Sequence, residues 1–323
     1  MSYSNYVQKI YRNTPTERQE EIRLIIQNEV QGYIVGALAK GLGDAGIVFA
    51  DMSAARHCYG LPRYNLSNAI RFKIKETVND VIFKKIMKAT KEALQGTLKV
   101  DVMMKLLKPT KKRDIFANFY VPKWEAVMKI EGVLYKIVLD THPVVEEQEC
   151  RYLDELSIGK VNVKLQAESI NAIAIENIAL HFNEYSVNGT TLFDQAWLDS
   201  MDSHIDLEVF EQVMWDRAAT DPERSLMNMQ NLLQSSTTRR QLKEIQVIGK
   251  PDFMEAPTFN MAADKIQKST VSMLSELTPH FGEQYQQKIA SEGAKTEYGM
   301  KVTAKGVDVT GAGRKAAEAI NRK

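Results

Sequence analysis

The feature that most constrains this chain is a change of hydrophobic period along it. In the first hundred residues apolar side chains recur every three or four positions, as in Ile22, Ile25, Ile26, Val30, Tyr33, Ile34, Ala37 and Leu38, the stripe of an amphipathic helix. Thr14-Pro15-Thr16-Glu17 predicts its start, with Thr14 as N-cap, Pro15 at the first helical position and Glu17 closing a capping box. Gly32 and Gly36 fall one turn apart on it, which suits a close helix contact. The same spacing predicts helices from about Ile47 to Cys58 and from about Asn65 to Leu94, the latter with Ile70, Ile74, Val78, Val81, Ile82 and Ile86 inward.

Near Phe116 the period falls to two. Glu131-Gly132 lies between two runs of β-formers and predicts a hairpin, Val161 to Leu165 alternates, and Asn188-Gly189 reads as a second hairpin tip. Helical spacing returns after Asp194, with Leu207, Phe210, Val213 and Met214, then over Leu226 to Leu233, and then from about Met261 to Leu277, where Thr278-Pro279 predicts the end. Met300 to Val309 alternates again, as a terminal hairpin or arm. The expected class is α+β: a helical basic N-terminal part, a mostly antiparallel central sheet and a helical C-terminal part. Cuts near Lys108–Lys112 and Gly249-Lys250-Pro251 divide the chain into regions 1–110, 111–249 and 250–323.

With 44% hydrophobic and 26% charged residues, 323 residues bury a core and fall outside the disordered and fibrous classes. Two cysteines, Cys58 and Cys150, are too few for a disulfide framework, which favours a reducing, cytoplasmic setting. The most apolar run, Val30 to Ala50, is broken by Lys40 and Asp44, so no membrane partner is expected. A net charge of +1 conceals two blocks of opposite sign. Arg63 to Arg113 carries fourteen Lys and Arg against four Asp and Glu, a net of +10. Asp140 to Glu223 carries four against eighteen, a net of −14.

The motifs for chemistry are sparse. Gly41-Leu-Gly43-Asp-Ala-Gly46 matches the dinucleotide pattern G-x-G-x-x-G, but a helical stripe precedes it and no carboxylate lies near position 66 to meet a ribose, so a helix-ending loop fits better. Asp199, Asp202, His204, Asp206, Glu208 and Glu211 are dense in oxygen ligands yet match no metal-site spacing. His57 and Cys58 are adjacent on a helix and so do not face each other. Neither His142 nor His181 has a partner fixed by spacing. Trp124, Trp197 and Trp215 read as core, and Met227 and Met229 as ordinary helix packing. No phosphate-loop, H-E-x-x-H, G-x-S-x-G or paired C-x-x-C motif occurs, so no catalytic residue, metal site or cofactor is expected.

Charge blocks speak of partners. The leading expectation is a non-catalytic structural or scaffolding homo-oligomer, self-associating through complementary basic and acidic surfaces. The second is a DNA- or RNA-binding protein placing Arg71, Lys73, Lys84, Lys85, Lys88, Lys91, Lys111, Lys112 and Arg113 on phosphates. The third is an enzyme without a recognisable motif. Against the first two stands mutual neutralisation of the blocks inside one molecule.

Overall fold

The computed structural model describes residues 3–42, 47–63, 69–74, 80–107, 110–113, 120–140, 148–153, 163–181, 188–201, 203–210, 213, 235–245, 247, 254–256, 258–292, 294–295, 300–303 and 306–309. Three strands enter the main sheet before residue 107: β1 (Ile47–Phe49), β2 (Ala69–Ile74) and β3 (Val102–Leu106). β4 (Thr110–Arg113), β5 (Tyr120–Ile130), β6 (Val133–Asp140), β7 (Gln148–Leu153) and β8 (Val163–Glu168) follow. The order is β3-β5-β6-β2-β1-β8-β7, with β4 beside β5. Neighbours are antiparallel except β1 with β8 and β2 with β6. The α+β class and the mostly antiparallel sheet are therefore as expected. β3 and β5 pair across Lys108–Lys112.

Two expected helices begin as strands instead. Ile70 and Ile74 are four apart, a spacing that serves both a helix face and every second position of a strand. The strand wins at β2, where Ile70 and Phe72 are buried between β1 and β6. The helix starts only at α4 (Asp80–Leu98), which lays Phe83 on Trp124 with ring centroids 5.5 Å apart. Likewise Ile47–Phe49 is β1, and α3 (Asp51–Tyr59) follows it at once, ending at Gly60 in the left-handed region.

The hairpin at Glu131-Gly132 is present, joining β5 to β6. Asn188-Gly189 is not a hairpin tip but the start of α6 (Gly189–Ser200): Asn188 Oδ1 accepts from the Thr190 and Thr191 N–H groups, and Thr191 closes a capping box. Asparagine serves both motifs, and the preceding context decides between them. The expected start at Thr14 is displaced too. α1 (Tyr3–Asn13) precedes it, the Thr14 hydroxyl donates back to the Ile10 carbonyl at 2.8 Å, and a short 3-10 turn (Thr16–Arg18) leads into α2 (Gln19–Leu42). α2 buries Val30, Ile34 and Leu38 and packs on α4 and β8.

After β8 come α5 (Ile170–His181), α6, α7 (Ser236–Glu244) and α8 (Phe259–Glu292). Pro279 lies inside α8 rather than ending it, one residue after Thr278, whose hydroxyl bonds the Leu274 carbonyl at 2.6 Å. β9 (Ala294–Lys295), β10 (Met300–Thr303) and β11 (Gly306–Val309) form a separate small sheet that contains the expected terminal hairpin. Among the described residues no helix is long and apolar enough to cross a membrane.

Candidate ligand-binding pocket

The site follows from the period of β2. Ile70 and Phe72 turn into the core, so Ala69, Arg71 and Lys73 share the opposite face. Ala69 and Arg71 line a cavity of about 630 Å³ that is also walled by the first turns of α3 and α6, by Asn177 of α5 and by the last turn of α7. That volume lies in the usual range for small-molecule sites, about 300–1,000 Å³.

Two arginine–aspartate pairs stand in its wall. Arg63, bridged to Val247, donates from Nε and Nη2 to the two carboxylate oxygens of Asp194 at 2.5 and 2.6 Å, and both side chains are buried. Burial pushes the Asp194 carboxyl up, and the Arg63 cation pulls it back. For Arg63, burial opposes the charge but the Asp194 carboxylate outweighs it and raises the guanidinium further. Arg71 instead meets Asp51 once, Nε to Oδ2 at 3.2 Å, with side chains 44% and 41% exposed. A half-exposed single contact of this kind is worth about 0–1 kcal/mol.

Lys73 is the deepest residue of the face. Its ammonium lies between the carboxylates of Glu168 and Glu176, and all three side chains are buried. Burial first, and the Glu176 charge second, raise the Glu168 carboxyl; Lys73 and the Asp51 N–H oppose the rise. Glu168 Oε2 accepts that N–H at 3.0 Å, and the Tyr59 hydroxyl donates to the Glu168 carbonyl at 2.5 Å. Asp51 itself has φ 64, the left-handed region that costs a non-glycine residue about 1–2 kcal/mol. Strain of this kind persists where its surroundings fix it.

The first turn of α6 is capped from two sides. Asn188 holds two N–H groups, and Gln241 Oε1 of α7 accepts the Gly189 N–H at 3.1 Å. A Cβ at Gly189 would lie 2.4 Å from the Leu242 nitrogen, so only glycine lets α7 approach this closely. Asn177 Nδ2 donates to Gln195 at 2.8 Å, and its carbonyl meets His181 Nδ1 at 2.8 Å.

The expected phosphate-binding residues fall on three elements, β2, α4 and β4. Arg71 reaches the pocket, whereas Lys73 is spent inside the protein on carboxylates and does not face solvent. Lys84, Lys85 and Lys88 stand on the exposed side of α4, with Lys91 half-buried beside them. Lys111, Lys112 and Arg113 lie on β4.

Of the acidic cluster, Asp199 accepts from the Ser269 hydroxyl and Asp206 caps the N–H groups of Glu208 and Val209; Asp202 and Glu211 lie outside the described residues. Among the described residues no three His, Cys, Asp or Glu side chains are grouped to hold a metal ion. The His57 ring packs by Phe49. Trp124 and Trp197 are core, as expected, while His142, Cys150's side chain, Trp215, Met227 and Met229 lie outside what is described, as do Gly43 to Gly46.

The pocket residues Asp51 and Asp194 escape sequence reasoning because their partners Glu168 and Arg63 lie more than a hundred residues away, and Asn188 and Thr191 read as part of a hairpin turn. Asn188 alone carried a signal, as an N-cap residue.

No family profile and no curated protein matches this chain. Among solved structures it is similar to MenT4, a nucleotidyltransferase toxin of Mycobacterium tuberculosis, at 13% identity and a TM-score of 0.48, covering 82% of this chain and 91% of that one. It is also similar to the JHP933 protein of Helicobacter pylori, at 14% identity and a TM-score of 0.40, covering 81% and 98%. The non-catalytic scaffold expectation is corrected: one of these similar structures is that of a nucleotidyltransferase toxin. Part of the charge of the two blocks is paired within the chain. Arg63 and Lys73 of the basic block are consumed by Asp194, Glu168 and Glu176 of the acidic one.

Proposed function

We propose that this protein binds a phosphorylated small molecule of nucleotide size in the pocket between β2, α3 and α6, and acts there as a nucleotide-handling enzyme. One observation carries the reading: a half-exposed arginine, Arg71, stands in a cavity of about 630 Å³ on which the first turns of two helices open. Arginine pairs with phosphate in a forked geometry, while the leading N–H groups of α3 and α6 are already held by Glu168, Asp51, Gln241 and Asn188 and leave the charge to Arg71. In this reading Arg71 meets the phosphate chain. The Arg63–Asp194 pair holds the α6 wall in place, and Met52 and Ile245 supply apolar surface for the rest of the ligand. The chemistry such a pocket favours is transfer of a phosphoryl or nucleotidyl group, in which positioning and charge stabilisation do most of the work.

Isothermal titration of ATP, GTP, CTP and UTP into the protein, repeated with Arg71→Ala, tests the binding. Saturable heat abolished by Arg71→Ala is expected. Incubation with α-labelled triphosphates then tests transfer, read as label on protein or added RNA. No heat and no thermal shift at millimolar nucleotide would refute the reading.

A further inference from the structure

We propose that Asp51 is an internal competitor for Arg71: its carboxylate occupies the guanidinium that the phosphates of a ligand would take, so that ligand entry exchanges one anion for another. The inference rests on the reading of the pocket above and names how that pocket selects. Asp51 Oδ2 lies 3.2 Å from Arg71 Nε at the cavity wall, and both side chains are nearly half exposed.

Asp51 is not there by backbone preference. With φ 64 it stands where glycine would sit without strain. It is held by its surroundings: its N–H donates to Glu168 Oε2 at 3.0 Å, and its own Oδ1 accepts the Met52 N–H at 2.7 Å. Glu168 is fixed in turn by Lys73, which also ties down Glu176, and the Tyr59 hydroxyl grips its carbonyl. A buried frame thus delivers one carboxylate, in a disfavoured backbone conformation, to the cation that faces the cavity.

The consequence is selectivity by charge. With Asp51 on it, Arg71 brings no net charge to a wall that also includes Glu244. A ligand must displace a carboxylate to bind, which a polyphosphate does better than a monoanion, because it offers several charged oxygens to one guanidinium. Asp51 is a specificity residue in this account.

Titration of ATP and of inorganic pyrophosphate into the wild type, Asp51→Asn and Asp51→Gly tests it. Both variants are expected to bind about fivefold tighter, the worth of a half-exposed ion pair. Adenosine, which carries no phosphate for Arg71, should bind the wild type and both variants alike, whereas a structural role for Asp51 would change its affinity too. Asp51→Gly keeps the test intact should Asp51→Asn fold poorly, since glycine accepts the left-handed conformation. Wild-type binding with equal or weaker binding in both variants overturns the competitor role alone. Absence of binding in all three proteins overturns it together with the pocket reading.

Discussion

Two arginine–aspartate pairs line one cavity, and their difference separates scaffold from site. Arg63 and Asp194 are buried, doubly bonded and charge-balanced. Arg71 and Asp51 meet once at a half-exposed edge, with one partner in strained backbone. Removing one half of a buried pair leaves an uncompensated charge, while a half-exposed pair is cheap to exchange. The first pair therefore builds the wall. The second is free to respond to a ligand.

Breaking the first pair should have the largest effect. Asp194→Ala removes the carboxylate that accepts two Arg63 hydrogen bonds and is expected to cost about 3–5 kcal/mol in chemical denaturation. A loss no larger than that of a surface substitution would place water or another acceptor at Arg63.

Acid should act next, through a histidine behind the wall. Burial holds His181 down to about 4, although its bond to the Asn177 carbonyl pulls the other way. A depressed histidine contributes stability that is present above its unfolded value near 6.5 and lost as pH falls toward the folded value. His181→Asn, whose amide can reach the same carbonyl, should flatten stability against pH by about 1.4 kcal/mol per unit between about pH 6.5 and 4. An unchanged slope would mean that His181 is charged in the fold.

Glu168 runs in the opposite sense. Its raised carboxyl contributes stability that is complete below the unfolded value near 4.5 and is lost as pH rises through a folded value of about 7. Glu176→Gln keeps an oxygen for Lys73 and removes the second cause of that rise, so at pH 8 it should be neutral or stabilising by about 1 kcal/mol. A loss of several kcal/mol would show that both carboxylates are needed charged.

The smallest stability effect belongs to the second pair. Arg71→Ala should change unfolding free energy by no more than about 1 kcal/mol while abolishing nucleotide binding. A large loss of stability would make Arg71 part of the wall as well.

What was legible in the sequence follows the range of the interaction. The β5–β6 hairpin and α2 read out because turn chemistry and periodicity are local. β2 was misread because Ile70 and Ile74 fit both periods, and the sheet partners that decide between them, β1 and β6, are set by the whole chain. Arg71 and Lys73 were singled out, but on charge alone. Their fates differ because Lys73 meets carboxylates 95 and 103 residues away, which no local pattern reveals. Asp51 was invisible for the same reason: its N–H partner lies 117 residues on.

A crystal structure of the protein with a non-hydrolysable nucleoside triphosphate tests the central claim most directly. The account predicts phosphate oxygens within about 3 Å of the Arg71 guanidinium, with Asp51 turned away and Arg63–Asp194 unmoved. Triphosphate bound instead along Lys84, Lys85 and Lys88, with Asp51 still on Arg71, would contradict it.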